Sequence, residues 1–226
     1  MYVNDQIEGY GKKFSAEETV DYEGNFKNNL PHGEGKLYLG NIVKFKGNFK
    51  YGKKNGQGIE YDRKGIKKFE GNFTKNEISG EGCEYYNNGG LKFEGIYVNG
   101  KKSGEGIEYF RNRAIFYKGN FENSQYQGYG CSYNASGSSV YKGQWNNGKY
   151  QGNGELFDAS NTLIYNGEFS NGLYQGIGHL LWPNGNVKYT GTFLEGCLEG
   201  KCQKFFESGT KEFDGNFEKG YFEGKG

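Results

Sequence analysis

One pattern of about 24 residues recurs along the whole sequence. Each copy begins with an aromatic residue, any residue, Gly, any residue and a second aromatic residue, and a Gly-x-Gly pair follows seven residues later. Such self-similarity indicates a repeat architecture, in which each copy contacts its neighbours along the chain. The first part of the pattern lies at Tyr22–Phe26, Phe45–Phe49, Phe69–Phe73, Phe93–Tyr97, Tyr117–Phe121, Tyr141–Trp145, Tyr165–Phe169, Tyr189–Phe193 and Phe213–Phe217.

We therefore predict one domain over residues 1–226, a single array of about nine repeats. The Gly-x-Gly pair Gly9/Gly11 belongs to a half repeat, residues 1–21, and the pair Gly224/Gly226 closes a truncated repeat, residues 213–226. In the eighth copy Gly200 is paired with Cys202 instead of a second glycine. Full repeats are predicted to begin at residues 22, 45, 69, 93, 117, 141, 165 and 189.

Each repeat is predicted to be a β-hairpin. The two aromatic residues and the glycine between them alternate with other residues, as strand residues of one face do. A loop of about six residues rich in Asn and Gly should follow, before the chain re-enters a strand at Gly-x-Gly. Chained hairpins predict an all-β fold, an elongated, twisted, single-layer antiparallel β-meander on the order of 85 Å long. Its stability should come from aromatic rings that lie over the glycines of the next strand.

The turns that join the repeats contain glycine in most copies, as at Gly65 and Gly185. The turn at Gly40-Asn41 is one residue shorter, and we expect a two-residue turn there and longer loops with a bulge elsewhere.

Composition argues against several classes of protein. Lys and Arg total 28 and Asp and Glu 27, so the chain lacks the basic surface of a nucleic-acid-binding protein. It has no apolar run of about 18 residues and no signal-peptide pattern, which predicts a soluble cytoplasmic protein. His32 and His179 occupy unrelated repeat positions, and the four cysteines lack metal-ligand spacing. We expect no catalytic site, no metal, no cofactor and no structural disulfide.

The sequence Tyr141-Lys142-Gly143-Gln144-Trp145, followed by Gly152-Asn153-Gly154, resembles the MORN repeat (membrane occupation and recognition nexus). The resemblance extends over residues 2–226, with Phe at many positions where the family commonly has Trp. It implies a twisted, elongated meander that serves as a binding platform. Similar arrays occur in cytoskeletal and ciliary scaffolds, in junctophilin-like membrane tethers, and as regulatory extensions of lipid kinases and SET-domain methyltransferases. The repeats carry no catalytic residues in any of them.

Three functions remain open at this point. The first is a non-enzymatic scaffold of a multi-subunit assembly in the cytoplasm, in the cytoskeleton or a cilium and its axoneme, which binds protein partners. The second is a membrane-tethering module that binds anionic phospholipid through the lysine pairs Lys12-Lys13, Lys53-Lys54, Lys67-Lys68 and Lys101-Lys102. The third is a regulatory extension of an enzyme whose catalytic domain is not in this chain.

Partner contacts are predicted at aromatic residues. Tyrosine combines apolar contact area with a hydrogen-bonding tip, as interface residues do, and a single-layer sheet leaves one face uncovered. The unfinished terminal repeats also predict edge-to-edge contact with a partner or a homodimer. The candidate partner-binding residues are Tyr61, Tyr85, Tyr109, Tyr133 and Trp145.

Overall fold

The structure is a computed structural model that describes residues 2–3 and 6–223, residues 2–3 by their backbone alone. Gly224 and Gly226 of the last predicted Gly-x-Gly pair lie outside the described residues. The chain divides into two compact units, Met1–Arg113 and Ala114–Gly226. Each unit is described by itself below.

The first unit is an antiparallel meander preceded by a two-stranded ribbon. Strands β1 and β2 pair with each other, and each strand from β3 to β10 pairs antiparallel with the next along the chain. The strands are β1 Tyr2–Val3, β2 Gln6–Ile7, β3 Gly9–Phe14, β4 Val20–Lys27, β5 Leu30–Leu39, β6 Ile42–Lys50, β7 Lys53–Tyr61, β8 Lys67–Thr74, β9 Glu77–Tyr85, β10 Leu91–Val98 and β11 Lys101–Tyr109.

The second unit is built in the same way, since each strand from β12 to β20 pairs antiparallel with its successor. The strands are β12 Ile115–Glu122, β13 Gln125–Tyr133, β14 Ser139–Asn146, β15 Lys149–Phe157, β16 Leu163–Ser170, β17 Leu173–Leu181, β18 Val187–Leu194, β19 Cys197–Phe205, β20 Lys211–Glu218 and β21 Tyr221–Glu223.

The predicted all-β meander of tandem hairpins is confirmed. Residues 2–3 and 6–223 contain strands and turns and no helix, and so no helix in this part of the chain is long and apolar enough to cross a membrane. The predicted single domain of 1–226 and the predicted length stay predictions.

The six-residue hairpin loop predicted from the sequence is wrong. Strand β4 ends at Lys27 and β5 begins at Leu30, so only Asn28 and Asn29 form the turn. Both have positive φ, 49° and 65°, which is the geometry of a type I′ turn and suits the right-handed twist of the two strands. The same two-residue geometry recurs at Asn147-Gly148. The residues before Gly-x-Gly are therefore strand residues, and they reach the faces of the sheet.

The turns between repeats agree with the prediction. Leu39 pairs with Ile42 across the two-residue turn Gly40-Asn41. The longer connection after Tyr61 closes with hydrogen bonds from the Asp62 amide to the Ile66 carbonyl and from the Gly65 amide to the Asp62 carbonyl. The next strand starts with a bulge, since the register shifts where Tyr61 pairs.

Aromatic rings lie on bare backbone, as predicted. Tyr141 on β14 is fully buried although no second sheet covers it. Its ring crosses Gly143 of its own strand and Gly154 of β15, which pair with each other. A Cβ added to Gly154 would lie 2.3 Å from the Tyr141 hydroxyl oxygen. Only glycine leaves room for the ring at this position.

The rings of successive repeats also contact each other, edge to face. Tyr141 lies 5.2 Å from Trp145 of its own repeat and 5.2 Å from Phe169 of the next one, between ring centroids, with interplanar angles of 88° and 90°. The first unit has the same geometry at Phe45, Phe49 and Phe73. Each such contact adds about 0.5–1.5 kcal/mol to the effect of area burial. A row of rings therefore acts as the core of each unit.

The ring-on-glycine contact can be tested by adding a single methyl group. We expect Gly154→Ala to lower the free energy of unfolding by about 3 kcal/mol, because the ring of Tyr141 has to leave its site. Gly11→Ala is the matched control, since its Cβ would meet Phe26 at an ordinary 3.7 Å; it should change stability by less than about 1 kcal/mol. Urea denaturation followed by circular dichroism measures both variants, and equal losses would contradict the packing.

Candidate interaction surfaces

The sheet of each unit has two chemically different faces. We name the aromatic face after the buried rings it carries, such as Tyr141, and the polar face is the opposite one. Residues directly opposite each other in a ladder share a face. Glu70 pairs with Ile59 on one side and Cys83 on the other, and these residues belong to the polar face of the first unit.

Three of the predicted tyrosines, Tyr61, Tyr85 and Tyr109, end strands β7, β9 and β11 of the first unit, and Tyr133 ends β13 of the second. All four side chains are half-buried. The hydroxyl of Tyr109 donates a hydrogen bond to Glu94 Oε1 at 2.5 Å, and that of Tyr85 lies 3.4 Å from Glu70 Oε2. The hydroxyls of Tyr85 and Tyr109 thus contact carboxylates of their own hairpins, and Lys67 Nζ lies 4.0 Å from the ring centroid of Tyr85.

Trp145 is not accessible, which corrects its predicted position. Its side chain is 7% exposed, and its Nε1 donates a hydrogen bond to the Gly130 carbonyl at 3.1 Å. The indole lies edge to face with Tyr117 and Tyr141. Trp145 is the second aromatic residue of its repeat, and that position always packs in the ring row. A partner-binding role for the four tyrosines stays a prediction.

The polar face of the first unit contains an open groove of about 570 Å³ that crosses strands β3 to β8. Its floor is the backbone of glycines whose other side carries the aromatic rings. Polar side chains border this floor on both sides. The floor residues are Gly24, Gly35, Gly47 and Gly58; one border is formed by Glu23, Lys36, Lys46, Ile59 and Glu70, and the other by Tyr10, Asn25, Glu34, Asn48 and Gln57.

A hydrogen-bonded carboxylate lies at one end of this groove. Glu23 accepts hydrogen bonds from the hydroxyls of Tyr10 and Tyr38, both at 2.8 Å, and lies 3.5 Å from Lys12 Nζ. The bond from Tyr10, then that from Tyr38, holds the pKa of the Glu23 carboxyl below its usual range. Glu23 therefore stays ionised, and its hydrogen-bond partners fix its orientation. The arrangement suits the binding of a polar ligand.

The aromatic face of the second unit carries three residues that the sequence analysis missed. Tyr126, Tyr150 and Tyr174 stack flat on the buried Tyr117, Tyr141 and Tyr165, each with 3.9 Å between ring centroids. A signal was available, because each lies two residues before a Gly-x-Gly pair and they recur every 24 residues. The recurrence was not interpreted as a strand position because the predicted six-residue loop included these residues.

In the first unit two of the same positions are lysines, Lys54 and Lys102, and two others are Pro31 and Ile78. The Nζ atom of Lys54 lies 4.8 Å from the ring centroid of Phe45 and forms an ion pair with Glu60. Lys102 lies 4.3 Å from Phe93 and pairs with Glu108 at 2.9 Å. Cation–π contacts of this kind are worth about 0.5–2 kcal/mol.

In each predicted lipid-binding pair, one lysine therefore lies close to a carboxylate of the protein. Lys12 lies near Glu23, Lys54 pairs with Glu60, Lys67 pairs with Glu70 at 2.8 Å, and Lys102 pairs with Glu108.

The repeat with the broken Gly-x-Gly pair packs differently. Cys202 is buried, and a Cβ on Gly191 would lie 2.4 Å from its Sγ. The sulfur thus occupies the space in which the ring of Tyr189 would lie by analogy with Tyr165. Tyr189 is half-buried and touches Phe217 at the longer centroid distance of 6.1 Å. One side-chain thiol therefore interrupts the ring row.

Among the described residues, no three His, Cys, Asp or Glu side chains are grouped so that they could hold a metal ion. The four cysteines are free thiols.

Comparison with known protein families agrees with the resemblance seen in the sequence. The MORN repeat family matches the chain seven times, two fewer than the nine copies predicted, and the copies at 189 and 213 lie outside the matches. No curated protein matches the chain. The matched segments are residues 22–41, 45–67, 69–91, 93–114, 117–139, 141–162 and 165–187.

The burial of Tyr109 can be tested by its titration. Burial, together with the hydrogen bond to Glu94, raises the pKa of Tyr109 to about 12, against about 10 in an unfolded chain. The folded state holds this proton more tightly, so its contribution to stability is complete below pH 10 and is lost as the pH rises to 12. In a spectrophotometric titration at 295 nm, Tyr109→Phe should lack one phenol that ionises near pH 12. A missing phenol that ionises near pH 10 would contradict the assignment.

Proposed function

The chain belongs to the MORN-repeat family, and on that premise we propose that it is a non-enzymatic scaffold that binds protein partners. The observation that carries the proposal is the open groove on the polar face of the first unit. We propose that this groove holds an extended peptide segment of the partner. The setting we propose is a cytoskeletal or ciliary assembly in the cytoplasm.

The shape of the groove suits a linear ligand. It crosses six strands, and six strands at about 4.8 Å span roughly 29 Å. An extended peptide of about eight or nine residues has this length. The glycine floor lets a ligand approach the backbone closely, because no side chain projects between the two borders.

The chemistry of the groove suits a peptide of mixed polarity. Its borders combine three carboxylates with two lysines, so no single sign of charge dominates. The amides of Asn48 and Gln57 can each donate and accept hydrogen bonds, as peptide groups do. Gln57 is exposed, and its side chain contacts only Asn72, at 3.1 Å, among the hydrogen bonds described for it. A polyanion would require a concentrated cluster of basic residues instead.

The membrane-tethering alternative is less well supported, since a lysine of each candidate pair lies near a carboxylate of the protein. A regulatory role beside a catalytic domain remains compatible with the same groove, because the groove would then bind a segment of that enzyme.

A matched pair of substitutions tests the groove. Gln57 and Tyr129 hold the same place in their Gly-x-Gly pairs, and Tyr129 is 62% exposed in the second unit. Peptides are selected by display on the purified chain and titrated against Gln57→Arg and Tyr129→Arg. We expect Gln57→Arg to weaken binding at least tenfold, because the new cation blocks the groove, and Tyr129→Arg to leave it within twofold.

The same preparation is tested by flotation with vesicles that contain or lack phosphoinositide, at two salt concentrations. Strong, salt-sensitive flotation without any selected peptide would overturn the proposal in favour of lipid. Equal loss of peptide binding in both arginine variants would show that the groove is not the site.

A further inference from the structure

The aromatic face of the second unit has an apolar surface that its fold does not require. We call Tyr126, Tyr150 and Tyr174 the tyrosine platform. Each ring stacks on a buried tyrosine at interplanar angles of 21°, 12° and 15°, so one ring face is covered. All three side chains are half-buried, and their remaining exposure lies on the outer side of this stack.

The platform is surrounded by uncharged side chains. Residues 123–187 contain five charged residues. Lys142 and Glu155 pair with each other on the polar face, where Glu168 also lies opposite Asn153. Leu156 and Leu180 lie opposite Tyr141 and Tyr165, on the aromatic face. The remaining two charged residues, Lys149 and Asp158, lie beside a hairpin turn and in a connecting turn.

Comparison within the chain shows that the tyrosines are not needed to cover the ring row. Lys54 takes the place of Tyr150 in its own repeat, and Glu60 takes the place of Leu156. With this pair, Phe45 beneath is as fully buried as Tyr141, at 0% exposure for both. An ion pair therefore serves packing equally well and would keep the surface polar. Packing therefore does not explain why tyrosines occupy these positions in the second unit. A binding role would explain them.

The spacing of the platform selects one type of ligand. Its rings recur every second strand, about 9.6 Å apart. A polyproline II helix repeats every three residues, about 9.3 Å. Seven residues of an α-helix rise about 10.5 Å, and two residues of an extended strand about 6.6 Å. Across three rings the polyproline II helix deviates by about 0.6 Å and the α-helix by about 1.8 Å.

We propose that the tyrosine platform binds a proline-rich segment in the polyproline II conformation. The segment crosses the strands and places every third residue on one ring. Proline-rich segments dock on aromatic-lined surfaces, with little loss of conformational entropy because their conformation is already formed. An uncharged segment also matches the absence of charge around the rings. The inference rests on the proposed function in treating the chain as a protein-binding module, but it uses the opposite face and the other unit.

A second copy of the chain fits this surface less well. The platform spans five strands, β13 to β17, roughly 24 Å, and about four residues along each strand, so its area is roughly 320 Å². Stable protein–protein interfaces bury about 800 Å² per partner. A narrow linear segment needs no larger contact area than the platform has.

The probe is a fluorescent decaproline peptide, about 31 Å long as a polyproline II helix, and its anisotropy is measured against the full chain. The main variant is the double substitution Tyr150→Lys with Leu156→Glu, which copies the Lys54 and Glu60 pair. We expect it to remain folded by circular dichroism and to weaken binding at least tenfold. Tyr174→Ile, which copies Ile78 at the same place in its repeat, keeps an apolar side chain without a flat ring. It should weaken binding about threefold to tenfold.

Gln57→Arg serves as the control and should bind decaproline as the wild-type chain does. Unchanged affinity in both platform variants would overturn the inference, as would a wild-type chain that fails to bind decaproline. If peptides selected for the polar groove still depend on Gln57 in that case, the proposed function stands and only this inference falls. If decaproline binding depends on Tyr150 while no selected peptide depends on Gln57, this inference stands and the proposed peptide site in the groove falls.

Discussion

The contact between an aromatic ring and bare glycine backbone is the interaction on which the rest of the structure depends. A sheet of chained hairpins has no second layer to bury its side chains, so its apolar residues must be covered by the sheet itself. Tyr141 achieves this by lying across Gly143 and Gly154, where a Cβ atom would collide with it. Edge-to-face contacts then join each ring to the next repeat. The glycines thus leave the space in which the rings are buried, as the interior between two layers does in a conventional core.

This arrangement separates stability from recognition. One face of each sheet is occupied by the ring row, which leaves the opposite face free to vary between repeats. On that face, glycine floors and polar borders form a groove in the first unit. On the aromatic face, the outermost position also varies, with Lys54 in one unit and Tyr150 in the other. Differences between copies at positions that packing leaves free are therefore where binding specificity can arise.

The repeat, the hairpins and the ring-on-glycine packing could be predicted because periodicity is a local property of the sequence. The two aromatic residues and the glycine between them occupy every second position, which places all three on one face of a strand, and the Gly-x-Gly pair marks where a ring must fit. The hairpin turns were mispredicted because Asn and Gly are common in loops of every length. Only the backbone shows that Asn147 and Gly148 alone make the turn, with positive φ at both.

The sequence by itself determined the all-β fold class, the order of the hairpins and the packing of rings on glycines, since each depends on the spacing within one repeat. The tertiary structure decided which side chains remain available to a partner. It placed Trp145 in the buried row, bonded Tyr109 to Glu94 and stacked Tyr150 on Tyr141. Availability depends on neighbours from adjacent strands and on hydrogen bonds between them, and those contacts exist only once the strands are paired in register.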